Sequence, residues 1–255
     1  MLDNVYISLT SIKGNETALI HTLKSIQNQS QQPDKCFIYL SEEPYILDKG
    51  FKEKRLNKNL EQLINSNPLF EVRWVKNTGP YRKLLPLLEE KFKENCAIIA
   101  IDDDTSYEPD MIQKYINDYK EYDCVIGSRS FTMNVDNLDN ISYKDKVKLD
   151  RLNLYNFHTG KGGVLYHPKF FKKSATHLFD ENLYTECCPH GDDIWFNFHR
   201  IANGIKCWVA EITFTKKGDH TTTLALYRNF NMINDNNTKH MRKTIIKLKE
   251  LGYKI

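Results

Sequence analysis

The run Ala97-Ile98-Ile99-Ala100-Ile101, ended abruptly by Asp102, Asp103 and Asp104, constrains this chain more than any other segment. An unbroken apolar stretch of this length between polar ones reads as a central strand of a parallel sheet, buried on both faces. Ligands of open α/β sheets bind just beyond the carboxyl ends of such strands, so the three carboxylates stand where chemistry is usually done. Like charges this close raise one another's pKa and repel unless a cation sits among them. Hard oxygen donors on one short turn suit Mg2+ or Mn2+, which keep several waters and take further ligands from phosphates. The plainer reading is an acidic loop that caps the helix beginning near Pro109, a role that needs only one such residue.

The remainder of the first half supplies the sheet. Strands are expected at Val5 to Leu9, Cys36 to Leu40, Phe70 to Val75 and Ala97 to Ile101. Helices are expected between them, at about Glu16 to Gln29, Lys49 to Ile64 and Tyr81 to Lys93. This alternation predicts βαβ units and a mostly parallel central sheet flanked by helices. A helix from about Pro109 to Tyr119 and a strand from Cys124 to Gly127 close a nucleotide-binding half, residues 1–127. Residues 128–215 break the alternation and are expected to form the acceptor side of a cleft, with Asp192-Asp193 at a helix start, one of them as its N-cap.

Residues 216–255 are expected to be a tail with a basic amphipathic helix, Thr238 to Leu251, carrying Met241, Ile245, Leu248 and Leu251 on one stripe. Its basic residues fit the solvated face of a packed helix, or peripheral contact with an anionic membrane. The net charge of +3, from 36 basic and 33 acidic residues, gives no global field for nucleic acid. The first residues lack a secretory pattern and no apolar run approaches the roughly 20 residues of a membrane span, so a cytoplasmic protein is expected, peripheral at the inner face of the membrane if the tail helix adsorbs. The six cysteines include no C-x-x-C pair and are expected as buried thiols; adjacent Cys187 and Cys188 lack zinc-ligand spacing.

Several segments resemble one known family. Val5 to Thr10, Thr22 to Gln29 and Pro33-Asp34 resemble the opening of GT-A glycosyltransferases of the bacterial family-2-like kind. The aspartate run resembles their D-x-D metal motif, and Gly79-Pro80-Tyr81-Arg82-Lys83-Leu84 resembles a G-P-x-x-K-L segment of a bacterial subset. Gly162 to Pro168 and Asp192 to Phe196 complete the pattern, which covers roughly residues 5 to 200. The resemblance implies a GT-A type fold and a metal-dependent, inverting transfer of sugar from a nucleoside-diphosphate sugar to a hydroxyl of a glycan or lipid-linked glycan, such as a capsule or lipopolysaccharide intermediate.

Carried over residue by residue, the resemblance makes Asp104 the ligand of Mn2+ or Mg2+, with Asp102 near the ribose and the metal, and Asp103 between them. Thr10, Gly79, Arg82 and Lys83 join the donor side, the last two inside a helix that Pro80 can start. Asp193 is the expected catalytic base, with Asp192 as the other candidate. Gly162, Gly163 and Trp195 are expected on the acceptor side, and His220 as a late metal ligand. Ser41-Glu42-Glu43 stands where the family has an acidic base-binding residue, which leaves the nucleotide open. Two competing readings are a nucleotidyltransferase acting on sugar phosphates, which also sets carboxylates and a metal on an α/β sheet, and a non-catalytic sugar-nucleotide or glycan binding protein.

Overall fold

The computed structural model describes residues 2–212, 214–215, 226–231 and 233–255. Thirteen strands run in chain order: β1 Asn4–Thr10, β2 Lys35–Leu40, β3 Phe70–Trp74, β4 Cys96–Ala100, β5 Ser106–Tyr107, β6 Val125–Gly127, β7 Ser130–Met133, β8 Lys146–Val147, β9 Leu152–Asn153, β10 Asn156–His158, β11 Val164–Tyr166, β12 Cys207–Val209 and β13 Phe214–Thr215. The helices are α1 Glu16–Gln27, α2 Lys58–Asn65, α3 Leu85–Glu90, α4 Met111–Tyr122, α5 Ala175–Leu178, α6 Glu181–Cys187, α7 Asp192–Ala202 and α8 Asn236–Glu250.

Eight strands form one sheet in the order β3-β2-β1-β4-β11-β6-β12-β9. The strands β3, β2, β1 and β4 are mutually parallel, with Ile7 opposite Ile99 and Ser8 opposite Ala100. This is the expected mixed α/β architecture with a large, mostly parallel sheet. Every residue of β4 is buried, which is why its sequence is unbrokenly apolar rather than alternating. Between β4 and β6 the strand β11 runs antiparallel to both. Its amino end therefore meets the carboxyl ends of β1, β4 and β6, and the glycine segment preceding it arrives at the same sheet edge as the aspartates. Two smaller sheets, β10-β7-β8 and β13-β5, flank this edge.

Two helices differ from their expected form. The segment expected as one helix from about Lys49 to Ile64 is an α-helix only from Lys58, as α2, with a separate 3-10 turn at Lys52–Lys54 before it. The segment after Gly79 is a 3-10 turn, Gly79–Lys83, and only then the short α3. Pro80 does start it, but Pro86 follows at the beginning of α3 and splits what reads in sequence as one helix, because proline lacks the donor a continuing helix needs. Lys83 thus ends a turn, and does not stand in the first turn of a long helix. The C-terminal α8 packs on α6 and α7, with Met241, Ile245 and Leu248 buried in the common core. Its cations are largely engaged: Lys243 with Glu186, Lys247 with Glu186 and Glu250, Lys249 with Asp139, and Arg242 with the carbonyls of Asn140 and Ile141. All six cysteines are buried free thiols. Among the described residues, no helix is long and apolar enough to cross a membrane.

Candidate active site

A cleft of about 470 Å3 opens at the carboxyl edge of the sheet, lined by the β1–α1 loop, the Tyr45–Asp48 turn, the Gly79–Lys83 turn, the three aspartates, Arg129, Thr159, Lys161 and the start of α7. The side chain of Lys83 is its hub. The Ser8 hydroxyl donates to the Lys83 carbonyl at 2.6 Å and ties this turn to β1. From there the ammonium reaches Asp102 Oδ1 at 2.9 Å, Asp192 Oδ2 at 3.0 Å and Asp193 Oδ1 at 3.9 Å. Burial alone would lower the pKa of Lys83, but the three carboxylates outweigh it and raise the pKa well above the ordinary lysine value.

The two acidic motifs, ninety residues apart in sequence, therefore share one counter-ion. Asp192 and Asp193 lie in the first turn of α7, where the helix dipole favours negative charge. Neither is the N-cap, contrary to expectation: that position is Gly191, and both carboxylates are left for the cleft. The backbone N–H of Gly160 donates to both oxygens of Asp193, at 3.0 and 3.1 Å. Burial and the neighbouring Asp192 push Asp193 up to about 7, with Lys83 opposing them. Burial also raises Asp192, again against Lys83.

Gly160 is glycine for a packing reason. A Cβ there would stand 2.4 Å from Lys83 Nζ, 2.9 Å from Asp102 Oδ1 and 3.3 Å from Asp193 Oδ1. Gly162 and Gly163, the glycines expected on the acceptor side, face elsewhere. A Cβ at Gly162 would meet Ser128 Oγ at 2.5 Å, and Gly163 holds φ +75°, so both serve the turn into β11 rather than line the cleft.

The aspartate run divides its work. Asp103 turns inward and accepts hydrogen bonds from Ser11 and from Asn15 Nδ2. Burial raises it to about 7, against the lowering effect of Ser11. Asp102 and Asp104 both line the cleft. Asp104 is raised by burial and then by repulsion from Asp102, with Lys161 acting in the opposite sense. Thr10 also lines the cleft, its hydroxyl donating to the Tyr39 carbonyl at 2.8 Å.

Two expected contacts take different roles. Arg82 is 1% exposed and spends its guanidinium on the Gly79 carbonyl, Ser41 Oγ and Asp48 Oδ2 at 3.0 Å. Asp48, which no motif marks, also accepts from the backbone of Lys13 and Gly50 and from Asn77, so the pair locks the loops that wall the cleft. Trp195 is not an acceptor contact: it is fully buried, its indole N–H donating to the Leu178 carbonyl at 2.9 Å. The reason is position along the helix: the first turn of α7 stands at the cleft, whereas Trp195, on the same face as Asp192 but one turn deeper, is enclosed with Phe196 and His199 by the core. Gly79 holds φ +65°, and a Cβ there would press on the Tyr45 ring and Ile46 at 3.1–3.2 Å. Tyr143 and Phe157 also line the cleft, Phe157 stacked on Phe131 and Tyr143 edge-on to both, and these aromatics have no sequence signal beyond composition. His220 lies outside the described residues.

No family model matches the chain, and a search of curated proteins finds no match. Solved structures do match. Residues 1–349 of S. aureus TarS superpose with a TM-score of 0.51 at 12% identity, covering 81% of this chain and 57% of that one. The same TarS region in complex with UDP gives 0.50 at 9% identity, and a longer TarS chain, of which 34% is covered, gives 0.51 at 11%. This chain thus spans little more than half of the TarS 1–349 structures. At such identities the likeness establishes architecture: the chain shares with these TarS structures a mixed α/β fold built on a large, mostly parallel sheet flanked by helices.

Proposed function

We propose that this protein is a metal-dependent, inverting glycosyltransferase that moves a sugar from a nucleoside-diphosphate sugar to a hydroxyl of a glycan acceptor. The observation that carries the reading is the convergence of Asp102, Asp192 and Asp193 on Lys83 beside Asp104, in a cleft large enough for a nucleotide sugar. UDP bound to the TarS neighbour supports a nucleotide donor of this kind.

Asp193 is the base. A group with its pKa near 7 is ionised for part of its population at neutral pH and still basic enough to take a proton. The Gly160 N–H fixes the carboxylate, which accepts the proton of the acceptor hydroxyl as that oxygen attacks the anomeric carbon and the bond to the diphosphate breaks. Single displacement inverts the anomeric centre. Lys83 orients the neighbouring carboxylates and opposes the rise in pKa of Asp192 and Asp193, and Arg82 acts through the loops that it locks. Thr10 and Asp103 support the donor side, Asp103 by fixing the β1–α1 loop through Ser11 and Asn15.

Among the described residues no three His, Cys, Asp or Glu side chains form a closed cage for a metal. The mutually repelling Asp102 and Asp104 nonetheless suit Mg2+ or Mn2+, ions that draw most of their ligands from water and phosphate. Held there, the ion would act as a Lewis acid on the departing diphosphate. His220 is proposed only as a supplementary ligand. Contact of α8 with an anionic membrane is a secondary element, resting on exposed Lys239 and Lys243. Equal pelleting with liposomes by the wild type and a Lys239→Glu/Lys243→Glu variant would remove it.

The test is turnover of sugar nucleotides with product analysis. The reading expects release of a nucleoside diphosphate, an inverted linkage and loss of turnover in chelator. Full turnover in chelator would contradict the metal, and pyrophosphate release from a nucleoside triphosphate and a sugar phosphate would favour nucleotidyl transfer.

A further inference from the structure

A second pocket of about 330 Å3 lies on the other side of the Tyr45 turn. It adjoins the cleft along three seams. Tyr45 lines both; Thr78 of the pocket is followed by Gly79 of the cleft; and Pro189 of the pocket is followed by His190, three residues before the proposed base. Beneath it the rings of Tyr81 and Tyr184 stack on each other with centroids 4.0 Å apart and are almost fully buried, so the ring open to a ligand is that of Tyr45. Tyr45 stands at its rim, 37% exposed, and its ring rests on Gly79, the position where a Cβ would stand 3.2 Å from it. Around the rings are hydroxyls and carboxylates, from Thr78, Thr185, Glu43 and Glu181.

The charge balance selects among ligands. Two carboxylates, Glu43 and Glu181, face one ammonium, Lys76, which Glu181 engages at 2.8 and 2.9 Å. The backbone N–H of Asn77 lowers the pKa of Glu43 and holds it ionised. Such a pocket repels phosphate and nucleotide and suits an uncharged ligand that offers hydroxyls to carboxylates and an apolar face to a tyrosine ring. That is the chemistry of a neutral sugar ring. Pockets of this size bury small ligands rather than macromolecules.

We infer that this pocket is a subsite for a neutral sugar unit of the acceptor glycan, remote from the unit that reacts at Asp193. The inference rests on the transferase reading for the word acceptor, but the site binds sugar whether or not transfer occurs. A glycan so held passes Pro189-His190 into the cleft, and its remote unit contributes binding that orients the reacting hydroxyl.

Ligand-observed saturation-transfer NMR on the whole protein, with lactose, maltose and chitobiose as probes, tests this without metal or donor. At least one disaccharide is expected to bind. Thr185→Trp, which fills the pocket from an exposed position on α6, should weaken it by about tenfold or more, and Glu181→Gln by several-fold. UDP with Mn2+ should bind both variants as it binds the wild type and should not displace the sugar. The inference is overturned if none of the probes binds at concentrations up to about 10 mM, where binding would be worth less than about 3 kcal/mol, if binding survives Thr185→Trp, or if UDP competes. Failure of the transferase reading would instead appear as absent nucleotide binding with sugar binding retained.

Discussion

Individual side chains in the cleft carry separable consequences. Asp193→Asn keeps the shape and removes the base, so kcat should fall by roughly 10²–10⁴ with nucleotide affinity little changed. With Asp193 raised to about 7, the reactive, ionised form grows as pH rises. The wild-type kcat/KM should therefore climb with pH through about 7 and level off above it; a rate that falls across this range would contradict the assignment. Gly160→Ala drives a methyl group into Lys83 Nζ and should depress kcat while Tm changes less, because the clash falls on the charge cluster and not on the core. Equal loss of fold and rate would make Gly160 a turn residue only.

Asp103 has a stability signature with a definite sign. Burial raises its pKa to about 7, above the unfolded value of about 3.9, so the folded state binds this proton more tightly. Its contribution is fully present below pH ~4 and is lost as pH rises through about 7. Urea unfolding of wild type and Asp103→Asn at pH 5 and pH 8 should show the variant gaining relative stability at the higher pH. A difference independent of pH would mean that the carboxyl is not buried against its charge.

At the level of elements, α7 and α8 join the cleft to the core. α7 offers Asp192 and Asp193 to the cleft from its first turn and buries Trp195 one turn later. Trp195→Ala should cost about 3–5 kcal/mol of unfolding free energy, and Ile245→Ala in α8 about 2–5 kcal/mol. Chemical denaturation measures both. For Trp195→Phe, which keeps most of the volume, an altered acceptor KM with unchanged stability would restore the acceptor role that burial removes. The elements also show where sequence stops being legible. The β4 strand and its aspartates were readable because burial on both faces leaves no polar position. The Gly79–Lys83 turn is not legible in sequence because tertiary bonds hold it, the Ser8 hydroxyl on the Lys83 carbonyl among them; the one local sign of the break is Pro86, five residues inside the expected helix.

For the whole molecule, the cleft is an assembly of loops brought to one sheet edge by parallel strands and by one antiparallel strand, β11. The parallel part follows from the alternation of apolar runs and helices. The insertion of β11 between β4 and β6 has no local signal, and with it goes the approach of Gly160 to Lys83 across 77 residues of chain. The same holds for Asp48, an acid without a motif, whose partners come from two other connections, the β1–α1 loop and the segment between β3 and α3. Sequence could nominate the carboxylates, but only the fold reveals that one lysine serves both acidic motifs.

Calorimetric titration with UDP, GDP, CMP and dTDP, in Mn2+ and in chelator, on wild type and Asp104→Ala, tests the central claim most directly. Metal-dependent binding of one nucleotide, lost in the variant, is the predicted result. Binding of none of them, or binding indifferent to both metal and Asp104, would contradict it.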